Sequence, residues 1–415
     1  MNKEIKKVPT VRFKGFIDDW EPRKLGDILV ERNIQHPQSK EYPLVSFTVE
    51  EGVTPKTERY EREQLVVGDK LSKKYKETRF NDIVYNPANL KFGAIARNKY
   101  GNAVFSPIYV TFDVKKQFAN PIFIEMLVIR KSFIQRALQY QQGTVYERMA
   151  VQVEDFLSLN VMVPSIQEQQ KIGEISNNIT TIITLHQRKL DQLQTLKNYC
   201  LQNMFPAKGE KAPAIRLKGF MDDWKQHKLG ELLTFRNGFN GNSQQYGSGI
   251  PLISVMDILN NNFIFSDLIR SKAALNETEI KRYAVHYGDV LFQRSSETAE
   301  DAGTSNVYLD SQNIAVFGGF VICGRKIGDY DPVFLKYLLD SNKIRRQIVI
   351  RAQGAQHVNV SQDTLKDISI DLPSMSEQKM IGAHLYNLDN LITLQQRKLD
   401  QLQSLKKFML QNLFI

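Results

Sequence analysis

Residues 183–197, ITLHQRKLDQLQTLK, return 209 positions later as residues 392–406, ITLQQRKLDQLQSLK, identical at 13 of 15 places. A second block behaves alike: RFKGFIDDWEPRKLG at 12–26 returns as RLKGFMDDWKQHKLG at 216–230, identical at 10 of 15 places and holding both tryptophans, Trp20 and Trp224. The order along the chain is module, helix, module, helix. A period near 205 residues is far longer than the roughly 20 to 50 residues of a solenoid repeat, so each unit is a whole domain followed by a helix. With 415 residues the chain has room for about two or three domains. The repeat divides it into a first module (1–163), a first spacer helix (164–205), a linker (206–214), a second module (215–372) and a second spacer helix (373–415). The linker, PAKGEKAPA, has the composition of a surface connection.

Between the matched blocks only a pattern persists. FNDIVYN near Phe80 resembles YGDVLFQ near Tyr287, and NPIFIEMLVIRKSF resembles DPVFLKYLLDSNKI. AVFSPIYVTF (103–112) and NIAVFGGFVIC (313–323), rich in Val, Ile and aromatics, read as strands. PVFLKYLLDSNKIRRQI from Pro332 reads as one amphipathic helix opened by proline. Each module is therefore expected to be α+β with a β-rich body.

Each long helix carries the signature of a capping box, Ser165 with Glu168 and Ser374 with Glu377. A seam in four-three alternation follows, through Ile172, Ser176, Ile179, Ile183, His186, Leu190 and Leu193 in the first copy. The second copy runs through Ile381, Leu385, Leu388, Ile392, Gln395, Leu399 and Leu402. From Ile166 to Met204 is about 39 residues, roughly 58 Å of helix. The two helices are expected to pair antiparallel, which brings the polar seam residues His186 and Gln395 together near the centre, where a polar pair fixes register. Matched helices beside divergent modules also point to two equal docking surfaces, with Gln187, Arg188 and Lys189 and their counterparts Gln396, Arg397 and Lys398 as candidates.

Lys plus Arg outnumber Asp plus Glu by 55 to 45, a balance of +10 that fits a polyanionic partner as well as it fits mere solubility. Two separated cysteines, Cys200 and Cys323, supply no disulfide framework or zinc site and are in keeping with a cytoplasmic location. No apolar run reaches the roughly 18 residues of a membrane span. No zinc-protease, phosphate-loop or serine-hydrolase motif occurs, so no catalytic residue and no metal site is assigned in this chain.

Polar and basic loops carry the positive signal for nucleic acid. In the first module the candidates are Lys73, Lys74, Lys76, Arg79, Asn89, Lys91, Arg97, Asn98 and Lys99, joined by Gln142, Tyr146 and Arg148 ahead of the first long helix. In the second they are Arg236, Asn237, Asn240, Asn242, Gln244, Arg294, Ser295 and Ser296, joined by Gln356 and His357. Lys and Arg neutralise phosphates, while Arg, Asn, Gln and Ser read base edges.

Two copies of KGF-x-DDW leading to KLG, each module closed by P-S-x-x-E-Q and the QRKLDQLQ helix, resemble the specificity subunit of type I restriction-modification systems across essentially the whole chain. That resemblance implies two target recognition domains in pseudo-twofold arrangement, separated by two long helices that form an antiparallel coiled coil. Each domain would read one half of a bipartite site in double-stranded DNA. It further implies two modification subunits, which methylate adenine with S-adenosylmethionine, and two restriction subunits, which cleave DNA with ATP and Mg²⁺. The specificity subunit itself would be non-catalytic and hold no cofactor. The residues alone leave open a stand-alone sequence-specific DNA-binding regulator and a coiled-coil scaffold without nucleic acid.

Overall fold

A computed structural model describes residues 8–55, 73–142, 149–352, 354 and 357–415. The chain forms two compact units, Met1–Leu185 with Leu399–Ile415, and His186–Lys398. Both are α+β.

The two units share a frame. In the first, strand Glu21–Lys24 pairs antiparallel with Asn160–Val163, the strand that feeds the first long helix. In the second, Lys225–Lys228 pairs in the same way with Ser369–Leu372. Next comes a four-stranded antiparallel sheet, ordered Leu29–Glu31, Val110–Val114, Ile83–Tyr85, Ile95–Arg97 in the first unit. Its counterpart is ordered Leu233–Asn237, Val321–Lys326, Val290–Gln293, Ser305–Val307. The units differ beside that sheet. The first adds three strands, Gln35–His36, Tyr75–Thr78 and Ala103–Phe105, and a hairpin, Val45–Thr48 with Gly52–Pro55. The second adds a mixed four-stranded sheet in which Tyr246–Ile253 and Ala315–Phe317 run parallel.

Local chemistry breaks three runs that the sequence presents as continuous. Residues 103–112 become two strands in different sheets, because the Tyr109 N–H turns back to the Ser106 carbonyl. Residues 313–323 break at the equivalent place, where the Val321 N–H donates to the Gly318 carbonyl. The helix expected from Pro332 is two, Pro332–Asp340 and Asn342–Arg351, interrupted by Ser341 in extended conformation with ψ 146°.

The long helices run unbroken over Ile166–Asn203 and Met375–Asn412, 38 residues each. Their capping boxes form only in half. The Ser165 and Ser374 hydroxyls accept the N–H of Glu168 and Glu377 at 3.3 and 3.4 Å. The glutamates do not reach back, because each is taken by an arginine from the duplicated KGF segment. Arg12 donates Nε and Nη2 to the two Glu168 oxygens at 2.8 Å each, and Arg216 does the same to Glu377. A bidentate charge-assisted pair is stronger than a single carboxylate contact to a backbone N–H. The following glutamines act as bridges. The Gln169 amide donates to the Pro164 carbonyl and accepts from the Asn120 N–H, while Gln378 joins Pro373 to Asp331. Asn120 and Asp331 cap helices Pro121–Val128 and Pro332–Asp340 of the same module. At Gly382 a Cβ would meet the Phe334 nitrogen at 2.9 Å, so only glycine allows the helix this close.

Each long helix begins against one module and ends in the core of the other unit. Phe205 packs with Trp224 and Phe334 in the second core, and Phe414 packs with Trp20 and Phe123 in the first. Within the second unit the helices pair antiparallel: Gln395 donates to the His186 carbonyl at 3.0 Å and also faces His186 Nδ1, and Lys197 meets Asp389. Along the seam Ile172, Ile179, Leu190, Ile381, Leu385, Leu388 and Leu399 are buried, and Ile183, His186, Leu193, Ile392, Gln395 and Leu402 are half-buried.

Removing Arg216 leaves the Glu377 carboxylate, 1 % exposed, without its cation. Arg216→Ala is therefore expected to cost about 3 kcal/mol in chemical denaturation. Adding Glu377→Gln should cost clearly less than the sum of the two single changes, whereas strict additivity would deny the pairing.

Candidate nucleic-acid interface and helix surface

The second unit gathers several candidates. Strand Ser295–Ser296 pairs with Val358–Asn359, which joins the loop after Arg294 to the segment holding His357. Arg294 and Asn237 share a polar cavity of about 300 Å³ with Arg351, Asn359, Ser361 and Gln362. Sequence reasoning missed Arg351 and Asn359; the signal lay in their own segment, from which only Gln356 and His357 were taken. His357, Asn237, Asn240, Asn242 and Gln244 are exposed. Asn242 spends its side-chain oxygen on the Gln244 N–H as a helix cap, and Ser296 donates to the Thr298 carbonyl within its own loop. Asn240 lies apart, on a second cavity with Arg270, Lys272 and Phe320. Arg236 is half-buried and donates Nη1 to the Arg282 carbonyl.

The first unit corrects three candidates. Lys76 is buried, with its ammonium on Glu31 at 2.9 Å and Asn33 at 2.8 Å. Arg97 is buried between Glu125 at 2.9 Å and Asn81 at 2.7 Å. Asn98, fully buried, bonds Thr78, Gly101 and the Tyr100 N–H and so builds a turn. All three sit in basic or polar loops by sequence, but their polar atoms face inward, those of Lys76 and Arg97 on partners far along the chain and those of Asn98 largely on its own turn. Arg79 pairs with Glu77 and Lys99 with Glu125 while remaining exposed. Lys73, Lys74, Asn89, Lys91 and Gln142 are exposed, Lys73 over the Tyr75 ring and Lys91 over Phe92. Tyr146, Arg148 and Gln356 lie outside the described residues.

Buried carboxylates set the electrostatics behind these loops. Asp82 accepts Arg32 Nε and Nη2 at 2.8 and 3.1 Å, and burial pushes its carboxyl up against that pairing. Its counterpart Asp289 is also pushed up by burial, opposed by the His286 and Lys326 N–H groups and by Arg325 at 2.9 Å.

On the long helices Gln187, Arg188, Lys189, Gln396, Arg397 and Lys398 are all exposed. A further feature escaped the sequence reading. Ile182, Leu185, Leu196 and Tyr199 are 41 to 58 % exposed, and Leu391, Leu394, Leu405 and Phe408, each 209 positions later, are 46 to 61 % exposed. Steps of 3, 11 and 3 residues hold them on one stripe of a helix with about 3.6 residues per turn. The first unit thus carries Ile182, Leu185, Leu405 and Phe408, and the second carries Leu196, Tyr199, Leu391 and Leu394. Among the described residues no cluster of His, Cys, Asp and Glu is placed to hold a metal ion, and no helix is long and apolar enough to cross a membrane.

The frame has known relatives. Residues 221–404 match the family model of the type I restriction modification DNA specificity domain. The type I restriction enzyme MjaVIII specificity subunit of Methanocaldococcus jannaschii is 21 % identical over 94 % of this chain and 91 % of its own length. Over most of its length the chain is thus similar to a type I restriction enzyme specificity subunit. The S subunit of a type I restriction-modification system from M. genitalium has the same fold, with TM-score 0.58 at 13 % identity over 98 % of this chain and 99 % of that one. A chain from a structure concerned with complex assembly and conformational transition of the type I system gives TM-score 0.51 at 19 % identity, covering 95 % and 97 %.

The inward-facing and outward-facing cations are expected to separate by experiment. Arg97→Ala should lower unfolding free energy by about 2 kcal/mol, whereas Lys74→Ala should change it by less than about 0.5 kcal/mol. Equal effects in urea unfolding would contradict the assignment.

Proposed function

We propose that the chain reads a bipartite site in double-stranded DNA, one half per module, and directs adenine methylation and DNA cleavage by partner subunits without being catalytic itself. The observation that carries this reading is one shared frame that bears two different polar surfaces. The Arg294, Asn237, Arg351 and Asn359 cavity marks the second surface, and Lys73, Lys74 and Asn89 mark the first. Guanidinium and amide groups of this kind suit phosphate contact and base-edge reading. The long helices, about 57 Å each at 1.5 Å per residue, serve as the ruler for the unread spacer, as dimer geometry does in other DNA binders. S-adenosylmethionine, ATP and Mg²⁺ are assigned to the partner subunits.

Mapping methylated adenines in cells with and without the chain tests this reading. A bipartite motif should appear only in its presence, and inserting seven residues into one long helix should change the spacer or abolish the motif. An unchanged spacer sinks the ruler.

The duplicated apolar stripe favours this assignment over a stand-alone regulator, since a chain acting alone has no use for two matched exposed apolar faces. Two modification subunits would dock there, beside the basic Arg188, Lys189, Arg397 and Lys398, and two restriction subunits would join that assembly. Leu185→Glu and Leu394→Glu should each weaken co-purification of the methyltransferase by at least about tenfold, roughly 1.4 kcal/mol. Full retention in the double variant would place docking elsewhere.

A further inference from the structure

Because the two units share one frame, a contact kept in one and lost in the other marks an empty role. In the second unit the Asp389 carboxylate, 3 % exposed, is held between Lys197, with Nζ 2.6 Å from Oδ1, and the Tyr337 hydroxyl, which donates to Oδ2 at 2.7 Å. This triad ties the helix pair to helix Pro332–Asp340. The equivalent positions in the first unit hold Lys406 for Lys197, Thr180 for Asp389 and Met126 for Tyr337. The cation is kept, while its carboxylate and its phenol are gone.

Lys406, Thr180 and Met126 instead line an open cavity of about 530 Å³, together with Lys99, Phe80 and Leu410. Arg97 and Lys99 already share the Glu125 carboxylate, at 2.9 and 2.7 Å. Three cations therefore face one anion there. Burial and the neighbouring Lys99 charge push the Lys406 ammonium down, with Glu125 opposing. A bound anion would relieve that strain on the charged form.

We propose that this cavity binds a carboxylate borne on an aromatic or apolar body. The carboxylate takes beside Lys406 the role that Asp389 has beside Lys197. The body lies against Met126, Phe80 and Leu410, in the role of the Tyr337 ring. A largely apolar pocket with a few convergent cations is the form that suits such a ligand, and the head group gains a charge-assisted contact in partly desolvated surroundings.

Titration of the full chain with 4-(trifluoromethyl)benzoate, followed by fluorine NMR, tests the site. Saturable binding with a dissociation constant of about 1 mM or tighter is expected. Lys406→Met and Thr180→Asp should each weaken it at least about tenfold, and so should replacing the probe by the neutral 4-(trifluoromethyl)benzamide. Thr180→Asp supplies the carboxylate from within and should melt no lower than the parent chain, which separates loss of the site from loss of the fold. Absence of saturable binding, equal affinity for the benzamide, or unchanged affinity in either folded variant overturns the proposal.

Discussion

The bidentate pairing of Arg12 with Glu168, repeated by Arg216 with Glu377, fastens the opening of each module to the first turn of the helix that leaves it. Each glutamate is almost wholly removed from solvent, so the geometry must be kept or a buried charge is stranded. The neighbouring Gln169 and Gln378 extend the clasp to the capped start of a helix within the same module. From these few contacts follow the direction in which each long helix departs and the close approach that Gly382 permits. The aromatic plugs complete the arrangement, since Phe205 and Phe414 each finish a core built around a tryptophan of the duplicated block.

This clasp explains why two short blocks stay alike while the rest of each module diverges. The duplicated segments KGF-x-DDW and P-S-x-x-E-Q lie about 150 residues apart in each module, yet they are two halves of one contact. Their repetition was plain in the sequence, as were the helices, whose seam has a period that needs no partner to be recognised. The contact itself was not legible, because Glu168 and Glu377 also fit a capping box, a local rule that carries no information about a distant arginine. The polar loops failed for the same reason. Lys76 and Arg97 look like phosphate ligands until Glu31 and Glu125 arrive from other strands, and Asn98 looks like a base reader until a turn absorbs it. Arg294 and Asn237, by contrast, face a polar cavity.

Divergence between the modules also has a physical pattern. The buried carboxylate of the central sheet is kept, as Asp82 and as Asp289, but its cation changes origin. Arg32 supplies it in the first module, whereas Arg325, from a different strand, supplies it in the second. The counterpart of Arg32 is Arg236, which turns to the Arg282 carbonyl and leaves Nε and Nη2 without an acceptor among the described residues. A framework charge can thus be neutralised from more than one position in the sheet. That freedom lets the loops around it be rebuilt without loss of the frame.

What remains once the clasp and the seam are accounted for is the stripe of Ile182, Leu185, Leu196 and Tyr199 with its copy 209 positions later. These side chains lie off the seam, and the intramolecular fold does not bury them. Uneven drift after duplication would be expected to replace exposed apolar residues first, since polar ones cost nothing there and improve solubility. On the proposed docking reading, their retention at matched positions in both copies is offset by a gain elsewhere. Burying a side chain of this size against a partner is worth about 1.5 to 3 kcal/mol. Four such contacts per unit are therefore enough to outweigh their cost to the free chain, provided that two equal partners arrive. Equal partners are what a repeated surface selects for, because any change in one copy would make one of the two contacts weaker than the other.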